Sequence, residues 1–200
     1  MIFEWDDLGC DHIISDMCQS HDCRDQLLRL KELNPAFKAT LFAIPAEMTM
    51  ELLGWCQQNR DWIQLGVHGF FHNSNYECEK MTYDDFHFMM KAFSAIIDKN
   101  FVKVFRAPGW QISTPILEYL ADHDWIVADQ SYNDDRRPLH LKSYVYNDST
   151  KTYRIAGTAV DAYHGHTWNV GWNGIYEDYD KVAGLVKDAK EFKFITEYFE

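Results

Sequence analysis

The sequence predicts an α/β protein in which a parallel sheet is packed against helices. Three observations lead there. Short runs of β-branched and aromatic residues alternate with stretches of helical periodicity along the chain. Capping residues, Gly and Pro fall where those helices should start and stop. No low-complexity tract, long linker or repeat interrupts the 200 residues, so residues 1–200 are expected to form one domain.

The elements follow in order. "MIFEW" (1–5) reads as a strand, and "CRDQLLRLKEL" (23–33) as a helix that ends near Asn34-Pro35. "ATLFAI" (39–44) is a strand, "MELLGWCQQN" (50–59) a helix despite Gly54, and "WIQLGV" (62–67) a strand. Thr82 starts a helix running to about Lys99, with Asp85 in the capping-box position. Its Phe86, Met89, Met90, Phe93, Ile96 and Ile97 recur at helical spacing and form a core face. "FVKVF" (101–105) is a strand. Ser113 caps a helix that tolerates Pro115 in its first turn, and "DWIVAD" (124–129) is a strand. Residues 130–152 read as a polar loop with a short strand at "SYVYN". "TAVDAYH" (158–164) is a strand, 178–190 a helix, and "KFITEYF" a last strand.

In parallel α/β folds ligands bind at the carboxyl ends of the strands. Four predicted strands deliver chemistry there. The first ends in Asp6-Asp7, the third in His68 with His72 beyond, "FVKVF" in Arg106, and "TAVDAY" in His164-Gly165-His166. One carboxylate and two imidazoles make a three-ligand site for a divalent ion, with positions open for water and substrate. A second carboxylate can take a proton, and an arginine can hold it ionised. A further histidine can protonate a leaving amine. The combination is that of a metal-assisted hydrolase of an amide or ester.

Composition narrows the class. The formal net charge of −12 argues against nucleic acid or an anionic membrane surface as partner. No apolar stretch approaches the roughly 20 residues of a membrane span. "MIFEWDDLG" lacks the basic and apolar regions of a signal peptide, so a cytoplasmic location is expected. The five cysteines are odd in number and form no framework, which fits a reducing compartment. Cys10, His12, Cys18, His21 and Cys23 cluster without a common zinc spacing and read as a loop with free thiols.

The order of these motifs resembles that of the polysaccharide deacetylases, the family-four carbohydrate esterases with the NodB homology domain. "WDDLG" resembles their T-F-D-D-G motif, "HGFFH" their histidine motif and "RAPGW" their R-x-P motif, while "YHGH" falls where their leucine-histidine pair belongs. The resemblance runs from residue 1 to about 168. It implies a distorted (β/α) barrel of about seven strands. It also implies removal of N-acetyl or O-acetyl groups from a sugar or glycan. Asp6 would then be the base, oriented by Arg106, and Asp7, His68 and His72 would hold one divalent ion. Zinc is the first expectation, and cobalt, manganese, nickel and iron suit the same donors. Trp110 would help form the acetyl pocket, and His164 or His166 would be the general acid, both facing one side of an extended strand.

The chain departs from the family pattern at Trp5, at Leu8 before the glycine, at Gly109 before Trp110, and in the fourth motif, where "DWIVADQSYND" offers Trp125 or Asp129. An intracellular or virus-encoded sugar-modifying version fits a short chain of this kind. Trp168 and Trp172 in "HTWNVGWNG" suit the flat face of a sugar ring, and Arg136, Arg137 and His140 lie on a loop that would cover the site. Two other functions keep the same motifs: an amidohydrolase acting on a non-sugar C–N bond, and a non-catalytic glycan-binding relative. The sequence leaves the oligomeric state open.

Overall fold

A computed structural model of the chain describes residues 1–15, 18–130, 137–167 and 177–200. Eight strands close into a barrel, one more than the number expected. β1 (Ile2–Leu8), β4 (Ala39–Ala43), β5 (Ile63–His68), β6 (Val104–Arg106), β7 (Ile126–Gln130) and β8 (Lys142–Asn147) run parallel to their neighbours in that order. β9 (Thr152–Ile155) is antiparallel to both β8 and β10 (Thr158–His166). β10 then runs parallel to β1 and closes the barrel. The distortion expected of the barrel is this antiparallel stretch, where hairpins replace strand–helix units.

α1 (Arg24–Leu33), α2 (Met50–Gln58), α3 (Tyr83–Ala92), α4 (Ser94–Asn100), α5 (Thr114–Asp122) and α6 (Glu177–Asp188) complete the described helices. Side-chain alternation divides each strand between two cores. Phe3 and Trp5 of β1 point outward and join Leu27, Leu30, Leu52 and Val186 of the helices. Ile2 points inward and meets Phe42, Val104, Tyr144 and Tyr153. Glu4 and Asp6 share that inward face, and both are buried.

Four expectations change. The helix over 82–99 is two helices, separated at Phe93 (φ −96°, ψ 3°). The Ser94 hydroxyl donates to the Lys91 carbonyl at 2.9 Å, an alternative to the helical ladder. The polar loop contains β9 as well as β8, because Gly157 (φ 85°) supplies the tight β9–β10 turn. The cysteine-bearing loop forms a two-stranded ribbon, β2 (His12–Ser15) and β3 (Cys18–Ser20). The expected last strand is a 3₁₀ turn over Ile195–Tyr198. The barrel is already closed by β1 and β10, so this segment has no free edge to pair with. It packs instead on the inner core through buried Ile195, with Gln64 Nε2 donating to Thr196 Oγ1 at 2.9 Å. Among the described residues no helix is long and apolar enough to cross a membrane.

Gly66 sits on the inward face of β5, where a Cβ would lie 2.8 Å from the Phe42 ring. Gly66→Ala is therefore expected to lower stability by about 1–3 kcal/mol, the range for overpacking a core. Urea denaturation of the two proteins checks this.

A candidate metal centre at the rim of the barrel

The first strand delivers two consecutive aspartates to one opening, which a regular strand cannot do. It manages this with a bulge. Between Trp5, opposite Leu41, and Leu8, opposite Ala43, β1 has one residue more than β4. Asp7 takes the left-handed backbone (φ 66°), and Leu8 returns to the core with no exposure. The leucine inserted before the glycine thus continues the barrel beyond the bulge and leaves both carboxylates at the rim.

Asp7, His68 and His72 converge, with one donor atom from each within 4.8 Å of the others. The Nε2 atoms of His68 and His72 each lie 3.3 Å from Asp7 Oδ1. A tetrahedral ion with bonds of about 2.0–2.1 Å separates its ligands by roughly 3.3–3.4 Å. All three side chains are buried. His68 Nδ1 lies 3.0 Å from the carbonyl of Arg106, so it carries the proton, and the Nε2 lone pair faces the carboxylate. A proton or a cation must lie between His68 Nε2 and the carboxylate, and the second imidazole at the same oxygen suits a cation. The residues therefore fit a divalent ion.

The second histidine is placed by a loop that the carboxylate of Glu77 ties together. It accepts the N–H groups of Phe70, Phe71 and His72, the last at 3.0 Å. Gly69 (φ 61°) lets the chain turn there, and His72 itself is left-handed (φ 49°). Burial, then the neighbouring His68, holds the His72 imidazole down at about 4, so it stays neutral as a ligand must. Burial opposes a charge on His68 too, but Asp6 and Asp7 outweigh it and raise its value.

Arg106 organises the second half of the site. Its Nη1 donates to Asp6 Oδ1 at 2.6 Å. Its Nη2 pairs with Glu4 Oε2 and donates to Tyr153 Oη at 2.9 Å. Tyr144 Oη donates to Glu4 Oε1 at 2.7 Å, and Tyr153 also hydrogen-bonds Glu4. The guanidinium carbon lies 3.9 Å from the Phe42 ring centre and 4.4 Å from that of Trp110. Burial pushes the Asp6 carboxyl up, but Arg106 and then His68, His164 and His166 pull it well below the usual carboxylate range. For Glu4 burial wins over Arg106 and the tyrosine bonds, and its value is raised.

His164 packs between Trp110 and Tyr146, each ring centre 5.1 Å away. Its Nδ1 faces Arg106 Nη1 at 3.3 Å and its Nε2 lies 3.9 Å from Asp6 Oδ2. Asp6, His164 and His166 form a second group with donor atoms within 4.8 Å of one another. Arg106 touches two of its three members, so a cation there would meet a fixed positive charge. This group does not fit a second ion.

The structure thus brings together Asp6, Asp7, His68, His72, Arg106, Trp110, His164 and His166. Trp168, Trp172 and Arg136 lie outside the described residues. Arg137 donates to Asp129 Oδ2 at 3.1 Å and to the Gln130 carbonyl at 2.8 Å, and His140 lies 3.9 Å from Asp122. Trp125 is buried in the core between barrel and helices. Cys10 Sγ donates to Glu47 at 3.3 Å, His12 meets the same carboxylate oxygen at 2.9 Å, and His21 pairs with Asp11 at 2.6 Å. Among the described residues the cysteine cluster forms no metal-holding group. Glu4, Glu77, Tyr144 and Tyr153 had no place in the sequence reading. A signal for Glu4 was there: in "IFEWDD" the two-residue period puts it on the same face as Asp6.

Removing Arg106 leaves two buried carboxylates unpaired. Arg106→Met is expected to destabilise the fold by about 3–5 kcal/mol, as measured by urea denaturation. His164 gives a pH dependence. Burial first, with Arg106 and His166 adding, holds its imidazole down at about 3, against roughly 6.5 in the unfolded chain. As pH falls from 6.5 towards 3 the unfolded chain binds a proton here that the folded chain does not, so stability falls. That residue contributes a slope of up to about 1.4 kcal/mol per pH unit. His164→Asn is expected to flatten it, in urea midpoints taken between pH 6.5 and 4.

No family model and no curated protein matches the chain. Solved structures do. A family 4 acetyl xylan esterase from Clostridium thermocellum, in complex with a cobalt ion, matches 99% of the chain and 89% of its own, with a TM-score of 0.61 and 16% identity. A peptidoglycan N-acetylglucosamine deacetylase matches 98% and 86%, with a TM-score of 0.58 and 16% identity. A 4-alpha-glucanotransferase from Thermococcus litoralis matches 99% of the chain but 40% of its own, with a TM-score of 0.62 and 11% identity. The chain has the barrel fold of the family 4 acetyl xylan esterase, at 16% sequence identity.

Proposed function

We propose that the chain, acting as one catalytic domain, is a metal-dependent hydrolase that removes acetyl groups, N-acetyl first, from a sugar or glycan. One observation carries the reading: a buried carboxylate and two imidazole lone pairs converge beside a second carboxylate that an arginine keeps ionised. The barrel shared with enzymes named for acetyl xylan and peptidoglycan N-acetylglucosamine supports the substrate class.

Asp7, His68 and His72 would hold the ion, with zinc the first candidate. When bound, it supplies Lewis acidity at the carbonyl oxygen and makes water easier to deprotonate. The remaining chemistry belongs to the chain. Arg106 occupies Asp6 Oδ1, which leaves Oδ2, on the side of His68 and His164, to take the proton of the attacking water. Phe42 and Trp110 pack against the guanidinium and help keep water from loosening that pair. Trp110, left-handed at φ 61°, also presents its ring beside His164, where a small acyl group would pack.

Elemental analysis after dialysis and exposure to zinc tests the centre. About one ion per native chain is expected, with strong loss in Asp7→Ala and retention in Asp6→Asn. Acetate release from N-acetylglucosamine oligomers is expected from the native chain and is expected to fall about 10²–10⁴-fold in Asp6→Asn. A folded native chain without metal, or one that binds it equally as Asp7→Ala, overturns the assignment.

A further inference from the structure

We propose that the backbone of residues 70–72 forms an anion pocket, and that its occupant, the carboxylate of Glu77, sets the metal affinity of the site without touching the ion. Glu77 is then a positioning residue for His72. The inference rests on the reading that Asp7, His68 and His72 hold the ion.

The two histidines are held by different means. A ligating imidazole is normally oriented by a hydrogen bond from its other ring nitrogen. His68 has one, from Nδ1 to the Arg106 carbonyl at 3.0 Å, and it is the last residue of a paired strand. No other described residue hydrogen-bonds His72 Nδ1. His72 lies four residues past the end of β5, with a left-handed backbone (φ 49°). A side-chain-bearing residue keeps that conformation only where its surroundings impose it. The imidazole of His72 is therefore aimed by its backbone, and whatever fixes that backbone decides where Nε2 points.

Glu77 fixes it. Its Oε1 accepts the N–H of Phe71 at 3.1 Å and its Oε2 that of His72 at 3.0 Å. The N–H of Phe70 is shared between the two oxygens, at 3.3 and 3.2 Å. Successive N–H groups turned to one side form the kind of concavity that holds an anion. The neighbouring glycine leaves this one open. A Cβ on Gly69 would lie 2.4 Å from Glu77 Oε2 and 2.7 Å from Pro108 Cγ. Both ends of the tie are anchored. Phe70 and Cys78 are buried in the core between barrel and helices. The Phe70 carbonyl accepts from Ala46 and the Cys78 carbonyl from Ser113, each at 3.0 Å.

The donors of the pocket are backbone groups, so it recognises a carboxylate by its two oxygens and not by the chain that carries it. Glu77 is half-buried, so solvent reaches the place it fills. With its side chain removed, formate, the smallest carboxylate, can enter. Anion and metal then bind cooperatively, and the coupling is reciprocal.

Zinc affinity, measured on the full chain by competition with a chromophoric chelator, tests this. The native protein is compared with Asp7→Ala, Glu77→Gln and Glu77→Ala. Glu77→Gln keeps the size of the side chain but turns an amide donor against the backbone donors. Both Glu77 variants are expected to bind zinc about 10–100-fold more weakly than the native chain. Excess sodium formate is expected to restore most of that loss in Glu77→Ala and none in Glu77→Gln, where the amide still fills the pocket. Sodium chloride at the same ionic strength restores neither, and formate leaves the native affinity unchanged. Rescue by a solute anion separates a positioning role from a general loss of structure. Urea denaturation of the metal-free variants checks folding, and Glu77→Gln decides the outcome if Glu77→Ala does not fold. Native affinity in Glu77→Gln overturns the inference. So does a loss in Glu77→Ala that formate leaves in place or that chloride restores equally. With zinc lost in Asp7→Ala, either result leaves the metal reading standing. A native chain that binds no zinc, or binds it equally as Asp7→Ala, overturns both.

Discussion

A guanidinium buried without any exposure is the constraint around which the barrel is arranged. Arg106 cannot lose its charge, so the fold must supply partners. Strand β1 supplies two of them, Glu4 and Asp6, two residues apart on one face. Tyr153 comes from β9, and Tyr144 of β8 secures Glu4. The rings of Phe42 of β4 and Trp110 pack against the ion. One side chain thereby ties together β1, β4, β6, β8 and β9. It also divides its two amino groups between Glu4, deep in the barrel, and Asp6 at the rim. Breaking either contact leaves a buried charge uncompensated, so the position of Asp6 and the integrity of the barrel are linked.

The second constraint is backbone strain concentrated at the rim. Asp7, His72 and Trp110 all have positive φ, as do Gly69, three residues before His72, and Gly109, next to Trp110. Regular strands point alternate side chains to opposite faces, so a site that needs neighbouring residues on one side must break the pattern. The bulge in β1 does so for the aspartates. The Glu77-tied loop does so for the second histidine, accepting three successive N–H groups that the turn would otherwise leave without strand partners.

The alternation of strands and helices was legible because each element carries its own periodicity, and α2, α3 and α5 carry their own caps in Thr49, Thr82 and Ser113. The parallel core was therefore readable, as were the residues that end its strands. The hairpin at β9, the ribbon β2–β3 and the break at Phe93 were not, because each depends on a turn or a neighbour and not on a hydrophobic period. The C-terminal segment has strand composition, and it is not a strand because the barrel it would join has no edge.

The same division holds at the site. Sequence by itself determined which chemistry is present: two aspartates, an arginine and four histidines at the ends of strands that a parallel sheet gathers at one rim. It determined this because residue type and strand end are local facts. Only the tertiary structure decided the partnerships. Which aspartate meets Arg106, which nitrogen of His68 carries the proton, and which of the β10 histidines faces the cation all depend on partners far away in sequence. Glu4 belongs to this second category. Its companion Arg106 stands about a hundred residues on, and only closure of the barrel brings the two charges together.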